Sequence, residues 1–133
     1  MKYVVFRVAD EKYALPVQQV QSIEIIPQIR PIPTPPKHVV GVSNLRGVIT
    51  TIVDMRSVFS IEVTAQRTSE SRILVTESGA YIVDGVQDVM DIDEAELEPW
   101  EGNERVRGVL NNGKDLILVL EVIESVGEAE VAK

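Results

Sequence analysis

The chain has 133 residues, 44% of them hydrophobic and 26% charged, with a formal net charge of −8 at pH 7. This balance is ordinary for a folded soluble protein and argues against disorder, and the lack of cysteine excludes a disulfide framework, thiolate metal sites and cysteine nucleophiles. No apolar run reaches the roughly 18 residues of a membrane-spanning helix, and all of the excess acid lies after Val83, so neither bilayer insertion nor nucleic acid is an expected partnership.

In chain order, residues 3–8 form a short β-branched and aromatic run that predicts a strand, followed by a polar turn at Asp10-Glu11-Lys12. Tyr13, Leu15 and Val17 alternate as in a half-buried strand. Pro16 can open a helical turn that carries Val17 and Val20. Residues 22–26 return to strand, with Ile23 and Ile25 alternating against Ser22 and Glu24. Residues 27–36 hold five of the seven prolines, which excludes a central strand and predicts a rigid extended crossover rather than a proline-rich ligand. Thr34-Pro35 fits a helix start, which predicts one short turn over residues 37–40 that ends at Gly41.

Val48, Ile49, Ile52 and Val53 then read as a buried strand, and Asp54 as the cap of a short turn over residues 55–59. Residues 64–71 are polar and predict a loop. Residues 73–76 and 81–83 predict a hairpin around Glu77-Ser78-Gly79-Ala80, and Asp84-Gly85 fits either a further hairpin turn or a bulge before Val86 and Val89. The clearest hairpin joins residues 106–110 to 116–120 through Asn111-Asn112-Gly113. Val122, Ile123 and Val126 predict a short C-terminal helix, with residues 127–133 fraying. No fixed-period repeat stands out, and short closely spaced strands point to a sandwich or barrels.

The search for a reaction centre yields little. His38 is the only histidine and has no cysteine or second histidine with which to share a metal. There is no Gly-x-Ser-x-Gly elbow, and the stretch from Gly108 to Lys114 lacks the spacing of a phosphate loop. The acidic run at residues 91–98 fails the EF-hand pattern, because Glu96 and Gly102 stand where glycine and glutamate are required. It reads as a solvated connection, although its carboxylates with His38 define an alternative, a small β-barrel hydrolase or ligand-binding protein. The sharpest feature is Arg46, between Gly41 and Gly47 and ahead of a strand that closes on Asp54 and Arg56. Glu24 and Asp54 are its candidate counter-charges, and Arg46 and Arg56 read as corner residues at the two ends of that strand.

These residues carry a resemblance. "GVSNLRGVITTIVDMRSVF" at residues 41–59, "YIVDGVQDVMDI" at 81–92 and "DLILVLEVIESV" at 115–126 are similar to ordered segments of CheW-like chemotaxis adaptors, and "YALPVQQVQSI" also aligns. The match spans about residues 3–126. It implies a single mainly β domain over residues 1–133, built as two packed five-stranded barrels with short helices. It further implies a cytoplasmic, non-catalytic scaffold without cofactors, peripheral to membrane receptor arrays. The expected partners are the regulatory domain of a CheA-type histidine kinase, the helical hairpin of a chemoreceptor tip, and further copies of itself or other CheW-like domains in ring contacts. A regulatory module competing for kinase or receptor in a divergent pathway is the alternative within the family. By position the resemblance assigns partner binding to Arg46, with Asn44 beside it, and to the apolar Val20 and Val89. Ser22 stands where the family has glutamate, so Glu24 takes that role. Positions 22 and 24 share one face of a strand, which keeps Glu24 within reach of Arg46. Thr51 replaces a common proline, and the hairpin at Ser78-Gly79 is about three residues shorter than is usual in the family.

Overall fold

The computed structural model describes residues 1–59, 61, 67–100, 106–111 and 113–121. Among the described residues ten strands run in chain order: β1 (Lys2–Val8), β2 (Glu11–Pro16), β3 (Ser22–Ile25), β4 (Val39–Leu45), β5 (Val48–Asp54), β6 (Arg72–Thr76), β7 (Gly79–Val83), β8 (Gly85–Asp91), β9 (Val106–Asn111) and β10 (Leu116–Leu120). One α-helical turn, α1 (Met55–Val58), follows β5, and the turn expected after Pro16 is a 3₁₀ turn at Val17–Gln19. The expected C-terminal helix lies outside the described residues, as does part of the loop expected at 64–71.

The strands form two five-stranded sheets, ordered β8-β1-β2-β10-β9 and β3-β6-β7-β5-β4. Each has the same pattern of pairings across it: antiparallel, antiparallel, parallel, antiparallel. The second sheet is drawn from consecutive strands, whereas the first takes the equivalents of β6 and β7 from the start of the chain and the rest from its end. The two sheets are thus circular permutations of one plan. A trace of this survives in the sequence, where Val39-Val40-Gly41-Val42-Ser43-Asn44 matches Val106-Arg107-Gly108-Val109-Leu110-Asn111 as Val-x-Gly-Val-x-Asn. In both copies the second residue is the extra one of a register shift against the next strand.

The two expected barrels are present as curled sheets, each closed by a single bridge rather than a full ladder. The chain leaving β3 turns back so that Arg30 and Val42 exchange hydrogen bonds of 2.8 and 2.9 Å, and the chain leaving β8 does the same between Glu98 and Val109. This closure corrects the reading of Gly41 as the end of a helical turn. Lys37 and His38 form a tight turn with Val39 N–H donating to the Pro36 carbonyl, and Gly41 lies inside β4. It is glycine because the crossing strap passes directly over it: a Cβ there would sit 2.2 Å from the Arg30 carbonyl oxygen. Asp84-Gly85, left open between a turn and a bulge, is the point where the chain leaves the second sheet for the first.

Three apolar clusters hold the molecule together. Tyr3, Val5, Ala14, Ile92, Leu110, Ile117 and Val119 fill the inside of the first sheet, and Ile52, Ile73, Ala80 and Ile82 fill the second. The largest cluster lies between the sheets, where Phe6, Tyr13 and Leu15 meet Val53, Met55, Leu74 and Tyr81. Here Tyr13 stacks between Phe6 and Phe59, with ring centroids 5.9 and 4.5 Å away. Burial, with a smaller contribution from the nearby Glu11 charge, pushes the Tyr13 hydroxyl up to about 12. One apolar expectation fails: of the four residues read as a buried strand, Ile52 and Val53 are buried but Val48 and Ile49 are 64% and 68% exposed.

Gly41→Ala is expected to lower unfolding free energy by at least about 3 kcal/mol, because the methyl group meets backbone that cannot move aside. Urea denaturation checks this, with Val40→Ala on the neighbouring exposed position expected to change stability by less than about 0.5 kcal/mol.

Candidate partner-binding site

The β4–β5 hairpin ends in a two-residue turn, Arg46-Gly47, with φ of +53° and +86°. Both signs are those of a type I′ turn, whose twist matches that of the flanking strands. Asn44 holds the turn, its side-chain oxygen accepting from Gly47 N–H at 2.8 Å. Asparagine or glycine is the usual occupant of the first left-handed position, and arginine there costs about 1 kcal/mol. The Arg46 side chain is 78% exposed at the tip, and its Nε lies 3.5 Å from Glu24 Oε2. The Ser22 hydroxyl donates to that same oxygen at 2.8 Å, which helps to orient the Glu24 carboxylate. Of the two candidate counter-charges, the structure brings Glu24 to Arg46. Around this pair a depression of about 690 Å³ opens, walled by Ser22, Val48, Ile49, Thr76 and Glu77.

Asp54 belongs to a second polar cluster. Its side chain caps α1, accepting from Arg56 N–H at 3.0 Å, and also accepts from Arg67 Nη2 at 2.6 Å. Arg56 turns its guanidinium to Asp84, donating from Nε at 3.1 Å and Nη2 at 2.7 Å. Arg67 Nη1 donates to the same carboxylate at 2.7 Å, and the Ala9 amide at 2.6 Å. Ala9 has a left-handed φ of +54° in the β1–β2 turn, and Arg7 braces it by donating to the carbonyls of Ala9 and Asp84 at 3.1 and 3.0 Å. Sequence reasoning assigned Arg56 and Asp54 to a corner but missed Asp84 and Arg67. The available signal was a charged residue between the apolar Val83 and Gly85-Val86, where an aspartate must be partnered to be tolerated. Burial alone would raise the Asp84 carboxyl, but hydrogen bonds from Arg56 and Ala9, the Arg56 charge and the Arg67 hydrogen bond outweigh it and hold the group below the usual carboxylate range.

The remaining candidates are dispersed. Val20 is half-buried against the cluster between the sheets, and Val89 is 45% exposed on β8 opposite Val4. His38 Nδ1 lies 2.6 Å from the Ser57 hydroxyl, and its carbonyl accepts from Asp54 N–H. Three of the five 91–98 carboxylates are engaged elsewhere: Asp91 with Lys2, Asp93 as the cap over Ala95, and Glu94 with Arg107. They share no described partner with His38, and among the described residues no group of three His, Asp or Glu could hold a metal ion. No helix among the described residues is long and apolar enough to cross a membrane.

The family model of the CheW-like domain matches residues 2–130. The chain belongs to this family. Chemotaxis protein CheW of Bacillus subtilis is 36% identical over 102 residues, covering 73% of this chain and 64% of that protein, so the matched part spans just under two thirds of it. The Klebsiella aerogenes protein of the same name is 25% identical over 141 residues, covering 98% of this chain and 84% of its own. The crystal structure of the scaffolding protein TtCheW from Thermoanaerobacter tengcongensis superposes with a TM-score of 0.81 at 29% identity, covering 91% and 88% of the two chains.

Asp84→Asn is expected to cost about 3–5 kcal/mol, since it removes the buried negative charge that Arg56, Arg67 and the Ala9 amide all donate to. The depressed carboxyl also fixes the sign of the acid response. Its stabilisation is complete above the ordinary value of 3.8 and is lost as pH falls through the lower folded-state value. Chemical denaturation over a series of acidic pH values is expected to show a shallower decline for Asp84→Asn than for the parent.

Proposed function

We propose that this CheW-like chain couples chemoreceptors to the regulatory domain of a CheA-type histidine kinase, with the Arg46 hairpin tip as a partner contact. One observation carries the reading: Arg46 holds an unfavourable left-handed backbone in an exposed position where it contributes little to the fold. An exposed ion pair such as Arg46–Glu24 is worth roughly 0–1 kcal/mol, about what the backbone conformation costs. A residue kept under those terms is there for what it presents to a partner. Asn44 acts through the turn it holds, and Glu24 by aiming the guanidinium. Val89 and the accessible part of Val20 supply apolar anchors for a helical receptor hairpin. The short Glu77-Ser78 turn at Thr76–Gly79 favours a second, narrower reading within the family, a module of a divergent pathway that occupies kinase or receptor without assembling them.

Kinase activity in a mixture of receptor fragments, kinase and this chain tests the proposal. The chain is expected to raise that activity, and a competing module would lower it. Arg46→Ala is expected to reduce the stimulation about tenfold or more, equivalent to about 1.4 kcal/mol of lost interaction, while unfolding free energy moves by less than about 1 kcal/mol. A loss of stability in proportion to the loss of stimulation would make Arg46 a fold residue and sink the assignment. A double-mutant cycle in the free protein is expected to give a small but measurable Arg46–Glu24 coupling.

A further inference from the structure

The depression around the Arg46 tip is lined by three charged side chains, and two of them are spent on each other. Arg46 Nε lies 3.5 Å from Glu24 Oε2, whereas the third, Glu77, is exposed and forms no ion pair among the described residues. The depression therefore carries one uncompensated negative charge. That carboxylate stands on a turn held from both sides. The Thr76 hydroxyl accepts from Ser78 N–H at 3.2 Å and donates to the Gly79 carbonyl at 3.0 Å. The Ser78 hydroxyl lies 2.8 Å from that of the fully buried Tyr81. Gly79 presses the end of the turn against β5, where a Cβ would come within 3.1 Å of the Thr51 carbonyl oxygen. The same depression is lined by Val48 and Ile49, both exposed. At the equivalent end of the first sheet the acid beside the hairpin, Asp115, is already taken by Lys12 at 2.7 Å. Only the second sheet combines exposed apolar lining with a fixed carboxylate free of a cation.

We propose that this depression receives a basic side chain of the kinase regulatory domain, an arginine or a lysine. Its aliphatic stem lies against Val48 and Ile49, and its cationic head meets the Glu77 carboxylate. The proposal rests on the adaptor reading above, in which Val20 and Val89 meet the receptor and the hairpin tip is left for the kinase. Long basic side chains suit such lining because they bury an apolar stem while their charge stays among polar groups. A purely apolar side chain would desolvate the Glu77 carboxylate with nothing in return. An acidic one would meet Glu77 where the nearest cation, Arg46, is already engaged by Glu24. The net charge of −8 acts in the same direction at longer range, drawing a basic surface toward the chain. Arg46 and Glu77 then present charges of opposite sign at one tip, a pattern that a partner has to match.

Calorimetric titration of the full chain with the regulatory domain of a CheA-type kinase, at several salt concentrations, tests this. Glu77→Lys is expected to weaken binding about tenfold or more and Glu77→Gln roughly threefold, and both to flatten the loss of affinity with added salt. Glu96→Lys makes the same change in net charge at an exposed acid far along the chain, and is expected to weaken binding less than about twofold. Ile49→Ala is expected to weaken it roughly threefold through the lost stem contact. Urea denaturation is expected to give the Glu77 variants the midpoint of the parent, since the side chain is exposed. A parent that does not bind the kinase domain overturns the adaptor reading and this proposal with it. Binding by the parent that ignores Glu77, or equal losses for Glu77→Lys and Glu96→Lys, overturns this proposal and leaves the adaptor reading standing. So does a loss for Ile49→Ala alone, which would make the partner surface apolar, or a Glu77→Lys variant that loses receptor fragments while keeping the kinase domain.

Discussion

The arrangement of the two sheets rests on the carboxylate of Asp84. It lies where the chain passes from one sheet to the other, 4% exposed, and accepts from a β1–β2 turn amide of the first sheet and from the guanidinium of Arg56 beside the second. The apolar cluster between the sheets supplies more free energy, but hydrophobic contact is non-directional and would tolerate sliding. Hydrogen bonds to a buried carboxylate would not. A buried ion pair is weak evidence for net stability, so the role of Asp84 is better read as fixing geometry. It holds Ala9 in a left-handed conformation and, through Arg67, ties itself to the Asp54 cap of α1.

The permuted repeat explains why a glycine stands inside a strand in each sheet. Gly41 and Gly108 each lie beneath the strap that closes their sheet, with a Cβ meeting the Arg30 carbonyl oxygen at 2.2 Å and that of Glu98 at 2.9 Å. A single bridge replaces a full closing ladder in each sheet, so closure depends on backbone passing very near backbone. The bulge at Val40 and at Arg107 accompanies that approach, since an extra residue bends the edge strand where the strap arrives.

Much of this was legible locally. Alternation gave most of the strands, Asp54 was read correctly as a cap, and strand parity put Glu24 on the face that meets Arg46. What was misread depended on contacts distant in sequence. Gly41 after Lys37–Val40 has the composition of a helix terminus, and only the crossing of residue 30 makes it a strand position. Val48 and Ile49 have the composition of a core strand, but burial requires a neighbour, and β7 starts too late to provide one. Asp84 carried a local signal, an acid among apolar residues, but its partners come from residues 9, 56 and 67. Apolar periodicity reports what a segment can bury and is silent on what is present to cover it.

The two polar clusters divide the work by burial. Around Asp84 the charges are shielded, so removing one partner leaves another uncompensated and the fold responds. Around Arg46 the charges are solvated, so the pair can be exchanged at small energetic consequence while the surface it presents changes fully. A surface that must change partners without endangering the fold is best placed on the second kind of cluster, carried by a hairpin whose base is anchored by Ile52 and Val53 in the core. The short β6–β7 turn extends this logic. It leaves β7 paired over Tyr81, Ile82 and Val83, which the cores require, and β7 begins too late to cover Ile49. The fold keeps its buried strand, and the hairpin tip keeps an exposed apolar surface to offer.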